Sequence, residues 1–413
     1  MRPFTGVERD YDENRRRNDL PSLTGLRFFA ALLVFFAHAS LLNNPLDLTG
    51  PVNFYADDDI ARGMADFFEP AGYVGVSFFF VLSGFVLTWS WSRKKTNSAG
   101  SFLRRRLVKV FPNHLVAWAV VMWLYAGAFT PMRAWLPNLF LLHSYSWRPD
   151  ISSSVNVPAW SLCSEVLFYL LFPLIIGPLT RIADRRLWLW AGGMVAGIAA
   201  VALVAKYLIP SGQSFPLAPL PMTKMWFAYL FPPARLFEFV LGALLARIVA
   251  AGRWPRVGAV PVLLLAAAGY TAALNVPAPY DFSLTTVVPI AAIICTAASA
   301  DLRGERGVLN GPVMVWLGTV SFGFYMIQAV PIFYGRLHLF DTHTYGFLTA
   351  TALLVLLFAA TLLAGWLLYR FVETPVMRRF GRGRRDRTPI PAVPAQQPGP
   401  VPAPTPAPPG TSL

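Results

Sequence analysis

The chain has 413 residues, of which 55% are hydrophobic and only 14% are charged. With a mean hydropathy of +0.49 and several apolar runs of about 20 residues, this composition excludes an ordinary soluble enzyme. Backbone groups in lipid must be hydrogen-bonded within their own segment, so long apolar runs of this kind form helices. The sequence therefore predicts an all-α polytopic membrane protein.

Ten apolar runs, taken in chain order, predict ten transmembrane helices around a central channel. They lie at 23–42, 71–92, 107–129, 160–178, 187–209, 230–250, 257–275, 283–300, 312–334 and 346–369. A further run at 136–143 is too short to cross a bilayer and is predicted to be re-entrant or interfacial.

The net charge of +14 follows the predicted topology. Lys and Arg concentrate on one side of the ten-helix arrangement, at 15–17, 93–106, 181–186, 253–256, 303–306 and 370–387. The loop at 43–70 is acidic, with Arg62 as its single base. By the positive-inside rule both termini are expected in the cytoplasm, and the basic excess needs no nucleic-acid partner.

The same pattern divides the chain into three parts. Residues 1–20 are predicted to be a charged cytoplasmic segment without the apolar core of a cleavable signal peptide. Residues 21–380 form the transmembrane domain. Residues 381–413 are basic and then proline-rich, which predicts a disordered cytoplasmic tail; docking of a partner domain to this tail remains an open alternative.

Arg27 and His38 both lie inside the first apolar run, where an ionisable group costs roughly 2.5–3.5 kcal/mol at the bilayer centre. Eleven residues at 100° each bring His38 to within ~20° of Arg27, and the rise of 1.5 Å per residue separates them by ~16 Å. One long ligand lying along the helix suits this arrangement. For Arg27, snorkelling to the lipid headgroups is the structural alternative.

Ser161, Glu165 and Tyr169 form a polar stripe at i, i+4 and i+8 on the fourth apolar run. Glu165 is expected at a depth similar to that of His38, where a carboxylate would orient the imidazole as a general base. Alternatively, Glu165 forms a structural ion pair with Arg235. Arg235 and Glu238, at i and i+3, can instead satisfy each other.

Four cations surround the start of the third run, namely Arg104, Arg105, Arg106 and Lys109. They can hold the phosphates of a cytosolic nucleotide-bearing ligand, or they can simply enforce topology and contact anionic lipid. Glycines in 72–84 and Gly242 predict close helix packing. No spacing typical of metal ligands is present, and no bound metal is predicted.

Taken together, the motifs resemble the acyltransferase 3 family of polytopic bacterial O-acyltransferases. The resemblance covers roughly 20–380. It rests on LTGLR (23–27) with His38, FFFVLSGFVL (78–87), RRLVKVFP (105–112), WSLCSEVLFYLLFP (160–173), RLFEFVLG (235–242), SFGFYMIQ (321–328) and VETP (372–375).

The resemblance implies transfer of an acyl group, usually acetyl, from cytosolic acyl-CoA to an acceptor hydroxyl, with no permanently bound cofactor. It implies a place in the bacterial cytoplasmic membrane. It assigns catalytic roles to His38, Glu165 and Arg27. Substrate binding is expected from Arg105, Arg106, Lys109, Trp160, Ser161, Tyr169, Arg235 and Glu238.

Two positions depart from the family pattern. Lys109 stands where the family usually has a second arginine, so the charge is kept without the bidentate fork. Gln328 stands where histidine is common, which excludes proton transfer at that position.

The acceptor is expected to be a hydroxyl-bearing glycan, lipid-linked sugar or glycosylated metabolite. The modest external loops favour a compact molecule. A proton-coupled transporter or flippase that uses Arg27, His38 and Glu165 as a relay is the competing hypothesis.

Overall fold

The computed structural model describes residues 20–45, 50–92, 98–214, 219–340 and 342–381, and these are largely helical. The isolated parallel bridge between Tyr55 and Tyr345 is the one pairing of extended backbone within these ranges. The predicted all-α class is confirmed. The predictions for the charged N-terminal segment and the proline-rich tail lie almost entirely outside the described residues.

The main helices are α1 Pro21–Ala39, α2 Asp58–Ser92, α3 Ala99–Leu124, α4 Met132–Leu139, α5 Trp160–Arg181, α6 Leu187–Tyr207, α7 Leu236–Ala250, α8 Ala259–Asn275, α9 Val287–Leu302, α10 Pro312–Ile327 and α11 Phe347–Leu368. Short helical turns lie at Pro149–Ser152 and Met222–Met225. Helix α11 continues through Tyr369–Glu373 and Thr374–Phe380.

Six helices in the described part of the chain are long and apolar enough to cross a membrane, which makes this a multi-pass membrane protein. They are α1, α2, α3, α5, α6 and α11. Helix α10 and the following segment Val330–Phe340 add a seventh if this pair, bent by 50°, counts as one span. Each of the ten predicted runs contains a helix, but α7, α8 and α9 are shorter, so ten crossings remain a prediction.

The outer surfaces of these helices carry large apolar side chains. Trp123, Leu174, Leu189 and Leu348 are each more than two-thirds exposed on the protein itself. In water such a surface would be unfavourable, whereas in a bilayer it faces lipid tails of the same polarity. These helices therefore turn their polar side chains inward.

Close contacts through glycine hold α2 against α7. A Cβ atom on Gly84 would overlap the carbonyl oxygen of Phe239, and one on Gly242 would overlap that of Val81. Only glycine allows two backbones to approach so closely. In lipid the hydrophobic effect does not drive helices together, so close van der Waals contacts of this kind stabilise their association. The predicted packing role of Gly242 is thus confirmed.

Helix α1 lies between α2 and α10 and packs closely on both. Gly75 of α2 contacts the carbonyl oxygen of Ala30, and Gly318 of α10 contacts that of Thr24. Because α1 is enclosed on these sides, its polar side chains face the protein interior. This placement positions the candidate site.

We expect Gly242→Ala to lower stability, because α2 and α7 must separate to admit the methyl group. Overpacking of this kind costs about 1–3 kcal/mol, which the melting temperature of the detergent-solubilised protein measures. Gly177→Ala on α5 is the matched control, since nothing lies within 4 Å of its Cβ position. A Gly242→Ala protein that melts at or above the wild-type temperature would contradict the packing assignment.

Candidate active site

The first of two adjoining cavities is lined by cations and has a volume of about 90 Å³. Its basic residues are Arg27 from α1 and Arg106 and Lys109 from α3. Glu165 and Tyr169 of α5 line the opposite side. We call this space the cationic cavity. Because Arg27 faces it, snorkelling to the headgroups is not needed to explain this arginine.

Aromatic and acidic side chains hold the cations of this cavity. The guanidinium of Arg106 lies 6.0 Å from the ring centre of Tyr169 and 5.8 Å from that of Phe102. The hydroxyl of Tyr169 donates to Glu165 at 2.8 Å. Arg27 forms no ion pair within the described ranges, so its charge is directed at the cavity.

Lys109 has a partner from the far end of the chain. Its Nζ lies 4.0 Å from Oε1 of Glu373, and Asn113 Nδ2 donates to Oε2 of the same carboxylate at 2.9 Å. Glu373 belongs to the VETP motif just beyond α11. A buried carboxylate with both an amide and an ammonium partner is well satisfied, and this contact fixes the middle of α3 against the segment that follows α11.

The second cavity is larger, with a volume of about 480 Å³, and His38 of α1 lines it. We call it the histidine cavity. Trp160, Tyr73 and Tyr229 form an aromatic wall, and Asp66 adds an acidic side chain. A volume of this size is typical of small-molecule sites.

Val76 and Tyr325 line both cavities and mark the place where they meet. The hydroxyl of Tyr325 lies 2.9 Å from Oγ of Ser161 and donates to the carbonyl oxygen of Pro158 at 3.2 Å. Along α1, Arg27 faces the first cavity and His38 the second, ~16 Å apart by the helical rise. The sequence predicts that Arg27 and His38 lie on one face of the first helix at different depths. The structure has one cavity at each of these depths.

His38 is half-buried, and its ring packs edge-on against Phe333 with 5.5 Å between centroids. The side chain of Gln328 lies within hydrogen-bonding reach of the imidazole. Nδ1 of His38 is buried and has no hydrogen-bond partner among the described residues. This ring nitrogen therefore keeps an unused capacity for one hydrogen bond.

The predicted pairing of Glu165 with His38 is wrong. Glu165 lines the cationic cavity and accepts from Tyr169, whereas His38 lines the histidine cavity and contacts Gln328. Their depths in separate helices could not be aligned from sequence, since helix tilt and end positions were unknown. Glu165 instead compensates part of the charge of Arg27, Arg106 and Lys109.

Arg235 and Glu238 are also not part of either cavity, which corrects their predicted role in substrate binding. They form a fully buried ion pair at 3.0 Å, and Arg235 also donates to Ser77 and Ser283, each at 3.1 Å. The alternative that the two residues satisfy each other is the correct one. Arg105 lines neither cavity either, although Arg106 beside it does.

The remaining predicted binding residues each line one of the two cavities. Ser161 and Tyr169 line the cationic cavity, and Trp160 lines the histidine cavity. Sequence reasoning gave no role to Tyr325 or Glu373, although both belong to motifs that it singled out, SFGFYMIQ and VETP. It also missed Glu69, whose position is visible only once α2 is seen to border the cavity. No group of three His, Cys, Asp or Glu residues in the described ranges is placed to hold a metal ion.

A helical membrane domain with a histidine on its first helix, an arginine-rich third helix and the motifs quoted above defines a class of membrane-bound transferase. The chain belongs to the acyltransferase 3 family, whose acyltransferase domain matches residues 20–370. It is therefore an acyltransferase that transfers groups other than aminoacyl groups.

Characterised relatives cover most of the chain. It is 38% identical over 386 residues to acyltransferase MdmB of Streptomyces mycarofaciens, which covers 91% of this chain and 96% of the relative. It is 27% identical to the exopolysaccharide production protein ExoZ of Rhizobium meliloti, over 76% of this chain and 92% of that one. Peptidoglycan O-acetyltransferase OatA of Listeria monocytogenes is 24% identical over 90% of this chain and 58% of its own length. No solved structure matches the chain significantly.

We expect Glu238→Ala to destabilise the protein rather than to weaken substrate binding, because it leaves Arg235 buried without a counter-charge. Breaking such a pair costs about 3–5 kcal/mol. A large fall in melting temperature, with an unchanged Michaelis constant for the acyl donor in the folded fraction, is the expected result. Glu238→Gln, which keeps the shape and one hydrogen bond, should lose less. An unchanged melting temperature with a raised Michaelis constant would restore the substrate-binding role.

Proposed function

We propose that this protein is a membrane O-acyltransferase that moves an acyl group, usually acetyl, from cytosolic acyl-CoA to a hydroxyl of a sugar, glycan or glycosylated metabolite. One observation carries the proposal. A cavity lined by Arg27, Arg106 and Lys109 adjoins a cavity lined by His38. In this proposal the cationic residues bind the anionic donor, and His38 in the adjoining cavity transfers the proton.

The cationic cavity suits the donor. Coenzyme A carries several phosphates, and charge-assisted hydrogen bonds to arginine are among the strongest in proteins. Arg106 supplies a planar fork held by Tyr169, and Lys109 supplies a point charge where a second fork is usual. With the phosphates near these residues, the pantetheine arm extends along α1 toward Val76 and Tyr325. In this arrangement Arg27 positions the donor.

His38 is proposed as the general base, without help from Glu165. The neutral imidazole takes the proton of the acceptor hydroxyl while the hydroxyl oxygen forms a bond to the thioester carbonyl carbon. The bond from carbon to sulfur then breaks, and the imidazolium returns the proton to the leaving thiolate, which gives the ester and free coenzyme A. Gln328 orients the ring and takes no part in the proton transfer.

The distribution of basic residues supports a membrane topology. We propose ten membrane crossings, both termini in the cytosol and a place in the bacterial cytoplasmic membrane. Basic loops after α5, α7 and α9 support this orientation, as do the cations at the start of α3. The cationic cavity then lies toward the cytosol, where acyl-CoA is present.

The size of the histidine cavity supports a compact acceptor. Its volume of about 480 Å³ accommodates a small glycoside or the end of a longer glycan. Among the relatives, ExoZ is named for exopolysaccharide production and OatA for peptidoglycan O-acetylation, and MdmB is named only as an acyltransferase. The hydroxyl-bearing glycan or glycosylated metabolite is proposed on these grounds.

His38→Ala should abolish most of the acyl transfer, since a positioned general base contributes roughly 10²–10⁴-fold in rate. The assay follows label from radioactive acetyl-CoA into glycans and metabolites extracted from cells that produce the protein, with the enzyme in lipid nanodiscs. His343→Ala, an exposed histidine away from both cavities, is the control and should keep full activity. Retention of most of the turnover by a well-folded His38→Ala protein would refute the assignment. Proton-gradient-driven uptake of the extract without labelled products would favour the transporter hypothesis.

Arg106→Ala should raise the Michaelis constant for acetyl-CoA by roughly 10- to 100-fold, the equivalent of one charged hydrogen bond to phosphate. Arg104→Ala is the matched control, because Arg104 is exposed on the same helix and lines neither cavity. The acceptor Michaelis constant should not change in either variant. If both arginine variants raise the acetyl-CoA constant equally, the effect comes from general surface charge, and the specific role of Arg106 is lost.

A further inference from the structure

The histidine cavity is acidic, in contrast to its neighbour. Asp66 and Glu69 of α2 line it, and no Lys or Arg lines it in the described part of the chain. The sequence segments 46–49 and 215–218, which adjoin its lining residues along the chain, contain no Lys or Arg either. Two carboxylates therefore face the space beside His38 without a basic residue opposite them.

Among the described residues, these carboxylates have no partner of opposite charge. Neither Asp66 nor Glu69 forms an ion pair within the described ranges, and Glu69 is satisfied only by the hydroxyl of Tyr73, which donates to it at 3.1 Å. Asp281 does not line the cavity but is close enough to Glu69 to feel its charge; it is 7% exposed, and its Oδ1 has no hydrogen-bond partner among the described residues. Burial, with a smaller contribution from Glu69, raises the pKa of Asp281 to about 7. Carboxylates that repel one another are stabilised by a cation brought between them.

Basic residues near this end of the protein have other partners. Arg62, one turn before Asp66 on α2, is paired with Asp58 and Asp59 at 3.8 and 3.6 Å. Arg235 lies behind the ring of Tyr229 and is neutralised by Glu238. Lys224 Nζ donates to the backbone oxygen of Lys206 at 2.8 Å, and the Lys206 ammonium lies 4.8 Å from the ring centre of Tyr280. None of them lines the cavity, so none can cancel its charge at close range.

The aromatic wall adds a second feature that suits a cation. The rings of Tyr73 and Tyr229 are 4.9 Å apart, and those of Trp160 and Tyr229 are 4.6 Å apart. The faces of such rings attract an ammonium group, by about 0.5–2 kcal/mol depending on desolvation. They also offer flat apolar surface to a sugar ring. An acidic rim above an aromatic wall therefore favours a ligand that is both cationic and partly apolar.

We propose that the acceptor of this enzyme is a positively charged, amine-bearing glycoside. Asp66 and Glu69 bind its ammonium group, and the aromatic wall carries its rings. A hydroxyl elsewhere on the same molecule then reaches His38. This inference deepens the proposed function and rests on it for the reaction at that hydroxyl. Polyanionic glycans are disfavoured, because the same carboxylates repel them.

Binding of two matched glycosides in the absence of acetyl-CoA tests the proposal directly. The probes are 4-nitrophenyl glucosides that carry a dimethylamino or an acetamido group at carbon 2, so that they share every hydroxyl and differ in charge. The dimethylamino group also cannot be converted to a stable amide. Calorimetry with the protein in nanodiscs should show at least about tenfold tighter binding of the dimethylamino probe, as expected for one hydrogen bond between charged groups.

Asp66→Asn combined with Glu69→Gln should remove this preference and make the two probes bind alike. The matched control is Asp184→Asn combined with Glu305→Gln, which makes the same change of charge at two exposed positions that line neither cavity. The control should keep the preference within about twofold, because exposed charges outside the cavity are screened by salt. The preference of the wild type should shrink as salt is raised.

Equal binding of the two probes, failure of the dimethylamino probe to bind, or a preference that survives in the Asp66 and Glu69 double variant would each overturn the inference. The result of the binding experiment can be distinguished from failure of the proposed acyltransferase function. Should acetyl transfer from acetyl-CoA be absent, the acyltransferase mechanism fails while the binding comparison still decides whether the cavity selects cations. Should transfer proceed while binding shows no charge preference, only the acceptor class is wrong.

Discussion

Helix α1 is fixed on two sides by backbone contacts that leave no room for a methyl group. Gly75 of α2 packs against the backbone at Ala30, and Gly318 of α10 packs against the backbone at Thr24. In lipid, where burial of apolar side chains between helices gains little, contacts of this kind supply much of the packing energy. They also determine which way α1 faces, and therefore where Arg27 and His38 point. Both cavities owe their position to this constraint.

The two cavities have opposite electrostatic character. One presents Arg27, Arg106 and Lys109 around the Glu165 carboxylate, and the other presents Asp66 and Glu69 around an imidazole. They meet at Tyr325, whose hydroxyl is hydrogen-bonded to Ser161. An anionic donor is thus favoured on one side and disfavoured on the other. In the proposed reaction, this separation keeps the phosphates of acyl-CoA away from the acceptor while the thioester reaches the histidine cavity.

Sequence reasoning predicted the helical class, the polar face of α1 and the packing glycines, because each depends on local periodicity or on the cost of a charge in lipid. It could not predict which side chains meet across helices. Glu165 was expected beside His38 and lies instead among the cations. Arg235 and Glu238 were expected at the site, and of the alternatives left open their pairing with each other is the one found. Both outcomes depend on the relative depth and rotation of the helices. These follow from tertiary packing and are not encoded in any periodic pattern of residues.

Two ion pairs in the described part of the protein, Arg235 with Glu238 and Lys109 with Glu373, have different consequences for its synthesis. Arg235 and Glu238 are three residues apart on one helical stretch, so they can enter the bilayer already neutralised. Lys109 has no such neighbour, and its partner Glu373 emerges from the ribosome only after every other helix of the domain. Until then the ammonium group must remain near water or depend on Glu165, which compensates only part of the charge of this cavity. Correct seating of α3 is therefore completed only when the last helix has been translated, which makes the C-terminal end of the domain a checkpoint for assembly.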